Sequence, residues 1–437
     1  MYPNGHRSNH DVIIVGAGVA GLTAAQILHQ EGIDVLVLEA GPKIGGRIVS
    51  HPWSEVMIDY GAQWIHGPEG NPITPLARQA GVQCLPTDFH HLRVFQLNGE
   101  PLPDDVLRQW AGEYEALTAR VFAMASKAPR NQSVADGLRM LLQDANLTEQ
   151  DWKLLNWFWN ATEVASAVDM EEMSLRYADD DEEFKGGDCM FKEGFRWLPD
   201  MLSKGLSIHV NEPVTVIDYQ GFPIEVHTPK GSYGASHVIV TVPLGVLQKG
   251  RIRFQPPLPK QKQTALRQLA MGVLNKFIME FPRDFWHEDR EFIGFMNESD
   301  LFFPVYMNLV PVLKRPILIA FVGGKMARKM EMLTDDEITR IALRPLCKAY
   351  GNVAEPIRVA YTRWGQDNRF YGAYSHVPVG GTSEAYDVLA KPIQKRLFFA
   401  GEATCRRYRG TVHGAYLSGQ RVARQILQLR ETSAALS

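Results

Sequence analysis

Cysteine is scarce in this sequence: four residues among 437, Cys84, Cys189, Cys347 and Cys405. They lie far apart and make no C-x-x-C pair, which excludes a zinc signature and offers no disulfide framework. A reducing compartment is the expectation. Long apolar runs are lacking too, and none approaches the ~20 residues of a membrane-spanning helix. Met1 to His10 is polar and has no apolar segment of a secretory leader. The final Ala435-Leu436-Ser437 is not a peroxisomal address. Basic surplus is absent: 46 Lys and Arg face 49 Asp and Glu, a net charge of -3, so nothing advertises a nucleic-acid partner. No metal-ligand spacing and no internal repeat stands out. These absences point to a cytoplasmic globular protein without membrane or nucleic-acid partners. A chain of 437 residues exceeds the roughly 100–200 of one ordinary domain, so two domains are expected.

What is present starts at Asp11-Val-Ile-Ile-Val15, a β-branched apolar run that suits a buried parallel strand. Gly16-Ala-Gly18-Val-Ala-Gly21 follows at once, then a helical stretch to Gln30 and a second strand at Val35 to Leu38, ending in Glu39. Gly16 permits a tight turn, Gly18 admits a pyrophosphate to the backbone, and Gly21 lets the helix pack against the strand. The helix N-terminus faces the anion. Glu39, roughly 20 residues after the cradle, can accept from a ribose 2′-OH and disfavours a 2′-phosphate. The unit is a dinucleotide site. Gly41-Pro-Lys-Ile-Gly45-Gly46-Arg47 adds a second glycine pair and an arginine, further donors for a pyrophosphate. No second G-x-G-x-x-G occurs, so electrons are expected to come from an organic substrate and leave to a diffusible acceptor.

The extended cradle resembles the fingerprint of the flavin-containing amine oxidase superfamily, and that resemblance makes FAD the expected cofactor. Further motifs carry it over nearly the whole chain. Gly61-Ala-Gln-Trp64-Ile-His66-Gly67 is similar to the segment of polyamine and spermine oxidases whose His faces the substrate tunnel. Gly272-Val-Leu-Asn-Lys276 resembles the stretch with the active-site lysine, which implies a water-bridged contact from Lys276 to the flavin. Arg363-Trp364 and Gly372-Ala-Tyr374 look like the aromatic wall beside the flavin. Gly401-Glu402-Ala-Thr404 and Gly410-Thr411-Val412-His413 are similar to the C-terminal FAD motif, where the Glu contacts the ribityl chain. Val214 sits where a backbone contact to adenine is expected. Ala373 stands where related enzymes tether flavin through a cysteine, so the FAD should be non-covalent.

The match is closest to polyamine oxidases, while lysine-specific histone demethylases share most motifs. The chain departs from the demethylases in having His66, and in lacking a long helical insertion and an N-terminal chromatin-associated domain. The resemblance implies an α/β fold: a Rossmann-like FAD domain of residues 1–80, 188–262 and 391–437, and an α+β substrate domain of 81–187 and 263–390. It implies oxidation of a polyamine C–N bond by dioxygen, giving an aldehyde, a shorter amine and hydrogen peroxide. An N-methyl-lysine or small-amine oxidase, and a non-catalytic FAD-binding subunit, are the alternatives; the oligomeric state stays open.

Flavin amine oxidation needs the reacting carbon held near the flavin and a neutral amine. Trp364 and Tyr374, with Trp64 outside them, are the wall candidates, or else ordinary core. Lys276 falls on the strand face of Leu274 and Ile278, where an ammonium is costly unless it has a task or snorkels to solvent. His66 is a tunnel residue or a hydrogen-bonded loop histidine. Asp179, Asp180, Asp181, Glu182 and Glu183 form an acidic run that is either a solvated loop or, as the resemblance implies, a substrate entrance. Glu163 is a second acidic candidate. Helices are expected over Asp104 to Lys127, Val134 to Asp144 and Thr148 to Ala161, and behind a Thr334 cap; the tail from Glu431 is expected to be disordered.

Overall fold

A computed structural model describes residues 8–436 apart from 288 and 298. Met1 to Arg7, on which the leader-peptide expectation rests, and Ser437 lie outside the described residues. The first apolar run forms β1 (Ser8–Val15), the cradle opens α1 (Val19–Gln30), and β2 (Val35–Leu38) follows. β1 pairs in parallel with β2 (Val12↔Val35) and with Gly231–Val240 (Ile14↔Ile239). These are the central members of an eight-stranded sheet completed by strands between residues 207 and 255 and by Leu397–Phe399. β2 is buried at every position, as a strand covered on both faces must be. Ile14, Leu22, Leu28, Val37, Phe398 and Ile426 meet in one core, which brings the helix Val412–Leu436 against α1. That helix runs through Glu431 to Leu436, where a disordered tail was expected.

A second, six-stranded sheet takes Leu274–Glu280 between Arg358–Tyr361 and Ile317–Gly323. Alternation holds along this strand: Ile278 joins one hydrophobic cluster with Leu274 packed against it, while Phe277 and Met279 join another. The middle of the chain is helical, at Asp104–Ala123, Val134–Leu142 and Glu149–Ser166. Reciprocal caps start three helices, Ser133 with Asp136, Thr148 with Asp151 and Thr334 with Glu337. No helix among the described residues is long and apolar enough to cross a membrane.

A small sheet of Trp64–Ile65, Cys189–Phe191 and Cys84–Pro86 corrects the cysteine expectation. Its antiparallel register places Cys84 and Cys189 with Cα atoms 5.7 Å apart, joined as a disulfide. Sequence spacing could not show a pair that only strand register brings together. Cys347 and Cys405 stay free.

Candidate active site

Both main sheets contribute to the wall of one cavity of about 1670 Å³. A single small ligand takes roughly 300–1,000 Å³, so there is room for a dinucleotide and a second molecule.

One end is a phosphate cradle. Gly16 and Gly45 both hold φ of +110°, a region that side chains rarely enter. Gly18 caps α1 with no side-chain bond, and no acid occupies the first turn, which suits the helix N-terminus to an anion. A Cβ on Gly46 would lie 3.2 Å from the Gly18 Cα, so both loops approach as backbone. Gly16, Gly18, Gly45, Gly46 and Arg47 line the cavity, whereas Gly21 does not. Its role is packing: a Cβ there would meet the Gly16 carbonyl oxygen at 2.1 Å. Glu39 and Val214 line the same cavity. The Glu39 carboxylate accepts from Ala17 N at 2.8 Å and Gly41 N at 2.7 Å. Each oxygen keeps a lone pair for a ribose hydroxyl. Burial raises this carboxyl above its ordinary value, opposed by those two N–H groups and Arg369.

The C-terminal motif closes over the cradle. Arg47 donates to Glu402 Oε1 at 2.9 Å and to the Ala373 carbonyl at 2.8 Å. Glu402 Oε2 accepts from Ser375 Oγ at 2.6 Å and Gly410 N at 3.0 Å. Gly401, with φ of +118°, Glu402, Thr411 and Val412 all line the cavity at the start of the long C-terminal helix. Dipole, glycine backbone, buried acid and room together fit FAD.

Beyond the cradle the wall turns aromatic. Trp364 is 9% exposed, and its backbone N–H is fixed by Asn275 Oδ1 at 3.0 Å. A Cβ on Gly61 would meet the Arg47 oxygen at 1.9 Å and the Trp364 ring at 3.3 Å, so only glycine fits between them. Tyr374 donates to the Ala165 carbonyl at 2.6 Å, and burial raises its phenol. Trp64 donates to Thr87 Oγ1 at 3.1 Å. All four line the cavity with Lys276 and His66.

Lys276 does not snorkel; it is 3% exposed. Its ammonium donates to Asp59 O at 2.8 Å, Gly61 O at 2.9 Å and Gln63 Oε1 at 2.7 Å. Burial lowers its pKa against the pull of Asp59, whose carboxyl the same burial raises. An ammonium has three N–H donors, and all are committed to the protein. The water bridge implied by the resemblance therefore needs one of these bonds to open, or the amine to be neutral with a free lone pair. His66 is 54% exposed, with Nδ1 held by Asp188 at 2.7 Å. Asp188 and Gln63 were not singled out by sequence, because each acts across a large sequence separation.

The acidic run divides. Asp179, Asp181 and Glu183 line the cavity, but Asp180 does not. Asp180 pairs with Arg406 at 3.2 Å and with Arg409, which also holds Asp181 at 2.8 Å, while Glu182 pairs with Arg407. Three of five acids are thus neutralised, and among the described residues Asp179 and Glu183 form no ion pair. Glu163 is a further correction. It is not in the lining; its carboxylate accepts from Trp159 Nε1 at 2.8 Å and Met170 N at 2.9 Å. Burial pushes it up to about 7.

A model of the family described as flavin containing amine oxidoreductase matches residues 19–427. Lysine-specific histone demethylase 1 homolog 2 of Arabidopsis thaliana is 35% identical over 441 residues, 96% of this chain and 58% of that protein. Polyamine oxidase 2 of Arabidopsis thaliana is 30% identical over 423 residues, 93% of this chain and 86% of that protein. The chain spans about half the length of several demethylases it matches, 58% and 53% for two from Arabidopsis thaliana and 53% for one from Homo sapiens, and 30% of another from Arabidopsis thaliana. A solved putrescine oxidase double mutant, redesigned in cofactor binding, shares the fold with a TM-score of 0.78 at 20% identity, covering 97% of this chain and 100% of that one.

Proposed function

The chain belongs to the flavin-containing amine oxidoreductase family, and on that premise we propose that it is an FAD-dependent polyamine oxidase. It takes a hydride from the carbon beside a secondary amine of spermine, spermidine or an acetylated form. Water then hydrolyses the resulting imine, so that amine, dioxygen and water give an aldehyde, a shorter amine and hydrogen peroxide. The observation that carries this reading is one continuous cavity wall, from the Gly16–Gly18 cradle through Trp364, Tyr374 and Lys276 to Asp179 and Glu183.

The glycine cradle, Glu39, Arg47 and Glu402 would hold FAD, which when bound would supply a two-electron acceptor that dioxygen can reoxidise. The protein does the rest. Trp364 and Tyr374 restrict the pose of a flexible amine, which lowers the entropy cost of reaction. Lys276, fixed by three acceptors, is a pre-organised amine on the cavity wall that acts through its charge, or through a donor freed when one of those bonds opens. Asp188 orients His66 through Nδ1, leaving Nε2 for the substrate nitrogen. Asp179 and Glu183 give the mouth an uncompensated negative charge that favours a polycation.

A second reading, oxidation of N-methyl-lysine, draws on the 35% identity to the demethylase homologue. Peroxide release from spermine, spermidine and N-acetylspermine, compared with a dimethyl-lysine peptide and benzylamine, separates the two. The polyamine reading expects the highest kcat/KM among the first three. A preference for the peptide would replace it.

A further inference from the structure

Lys276 and Trp364 line one wall but stand on different segments, and the proposed reaction needs both at fixed places. Lys276 belongs to the strand Leu274–Glu280, whose antiparallel partner Arg358–Tyr361 runs toward Trp364. The ladder between them ends short of the tryptophan. Phe277 lies opposite Tyr361, and Thr362 N then donates to Lys276 O at 3.0 Å. Beyond that point side chains take over from the backbone. Trp364 N donates to Asn275 Oδ1 at 3.0 Å, and Gly365 N donates to Glu331 Oε1 at 2.8 Å. Asn275 ties the two acceptors together, because its Nδ2 donates to the same Glu331 oxygen at 2.8 Å. Its Oδ1 also accepts from Thr362 Oγ1 at 3.0 Å, and that hydroxyl accepts from Lys276 N at 2.9 Å. The clamp is close-fitting: a Cβ on Gly365 would lie 2.6 Å from Glu331 Oε2.

None of the clamp touches the cavity. Successive side chains on a strand point to opposite faces, so Asn275 turns away from the wall that Lys276 lines. Asn275, Glu331 and Thr362 are all buried. Opening any of their bonds would leave a buried polar group unpaired, which is costly, so the arrangement is stiff. The Trp364 ring has weaker ties of its own. Its Nε1 donates to Tyr60 O at a long 3.4 Å, and its other ring contact is the edge of Phe370 at 5.1 Å between centroids. The pose of the ring therefore follows the backbone that Asn275 holds.

We propose that Asn275, backed by Glu331, is a positioning residue that fixes the Trp364 ring relative to Lys276 and so governs the hydride step rather than amine capture. This deepens the amine-oxidase reading and rests on it.

The test compares holoenzyme of the parent with N275A, W364A and N275A/W364A. Under anaerobic mixing with spermine, N275A should lower the limiting flavin reduction rate about tenfold and shift the half-saturating spermine concentration less than about twofold. In the W364A background the N275A change should not slow reduction further, because no ring is left to position. Its loss of melting temperature should persist there. E331Q keeps an oxygen for Asn275 and Gly365, so it should retain more of the rate than E331A. If N275A does not hold flavin, E331A with and without W364A decides. A parent rate in N275A, an equal rate loss with and without the Trp364 ring, or an E331Q as slow as E331A would overturn the role. A second readout needs no amine. The visible circular dichroism of bound flavin should change in N275A, and should match between W364A and the double variant. If spermine, N-acetylspermine and a dimethyl-lysine peptide all fail to reduce the parent, the amine-oxidase reading falls, and the dichroism still decides whether Asn275 places the ring.

Discussion

Replacing Lys276 by Met would leave Asp59 O, Gly61 O and Gln63 Oε1 without their shared donor. K276M is expected to keep FAD, to melt lower, and to reduce or reoxidise its flavin about 10²–10³ times more slowly. Rapid-mixing rates equal to the parent's would make the lysine purely structural. Glu163 gives a prediction of the opposite kind. Its folded pKa of about 7 lies above the ordinary 4.5. Its contribution to stability is therefore full below the unfolded value and is lost as pH rises through the folded one. Glu163→Gln keeps an acceptor for Trp159 and Met170 but cannot ionise. It should melt higher than the parent at about pH 8 and show little gain at about pH 5; a gain independent of pH would contradict this. The residue types at Lys276, Trp364 and Tyr374 were legible because each stands inside a short motif. Glu163 was misread, although a signal existed: Trp159 lies at i−4 on the same helix, where a side chain can take the carboxylate.

At the scale of elements, the loop carrying Asp179 to Glu183 packs on the loop carrying Arg406 to Arg409, with Glu182 N also donating to Arg407 O at 2.6 Å. Two effects are expected to separate. D179N/E183Q removes uncompensated charge, so kcat/KM for spermine should fall about tenfold at low salt while the limiting reduction rate stays put. The loss should fade with salt, as the Debye length drops from ~10 Å at 0.1 M to ~3 Å at 1 M. D180N instead strips a partner from Arg409, whose side chain is 9% exposed. It should cost about 1–3 kcal/mol of stability, because Arg409 retains Asp181. If D180N lowers spermine capture without lowering the melting temperature, the division of the run is wrong. The complementary run of Arg406, Arg407 and Arg409 was not singled out from the sequence, because opposite runs far apart do not announce that they meet. The β1–α1–β2 cradle was legible because its parts are contiguous, so local pattern and global fold agree.

Across the whole molecule, the cavity depends on pairings that no local pattern encodes. Residues near the two ends of the chain meet where Arg47 holds Glu402. Strand register joins Cys84 to Cys189, 105 residues apart. His66 depends on Asp188 through the same small sheet that carries this disulfide. Lys276 is brought under Gly61 by the six-stranded sheet. The central claim is that these pairings build one compartment in which an amine gives its hydride to FAD. It is tested most directly by mixing the purified yellow protein with spermine without oxygen, then admitting oxygen. The flavin colour is expected to bleach with spermine alone and to return with oxygen, with about one hydrogen peroxide per amine oxidised. Flavin that stays oxidised in the presence of spermine, its acetylated form and a dimethyl-lysine peptide alike would contradict it.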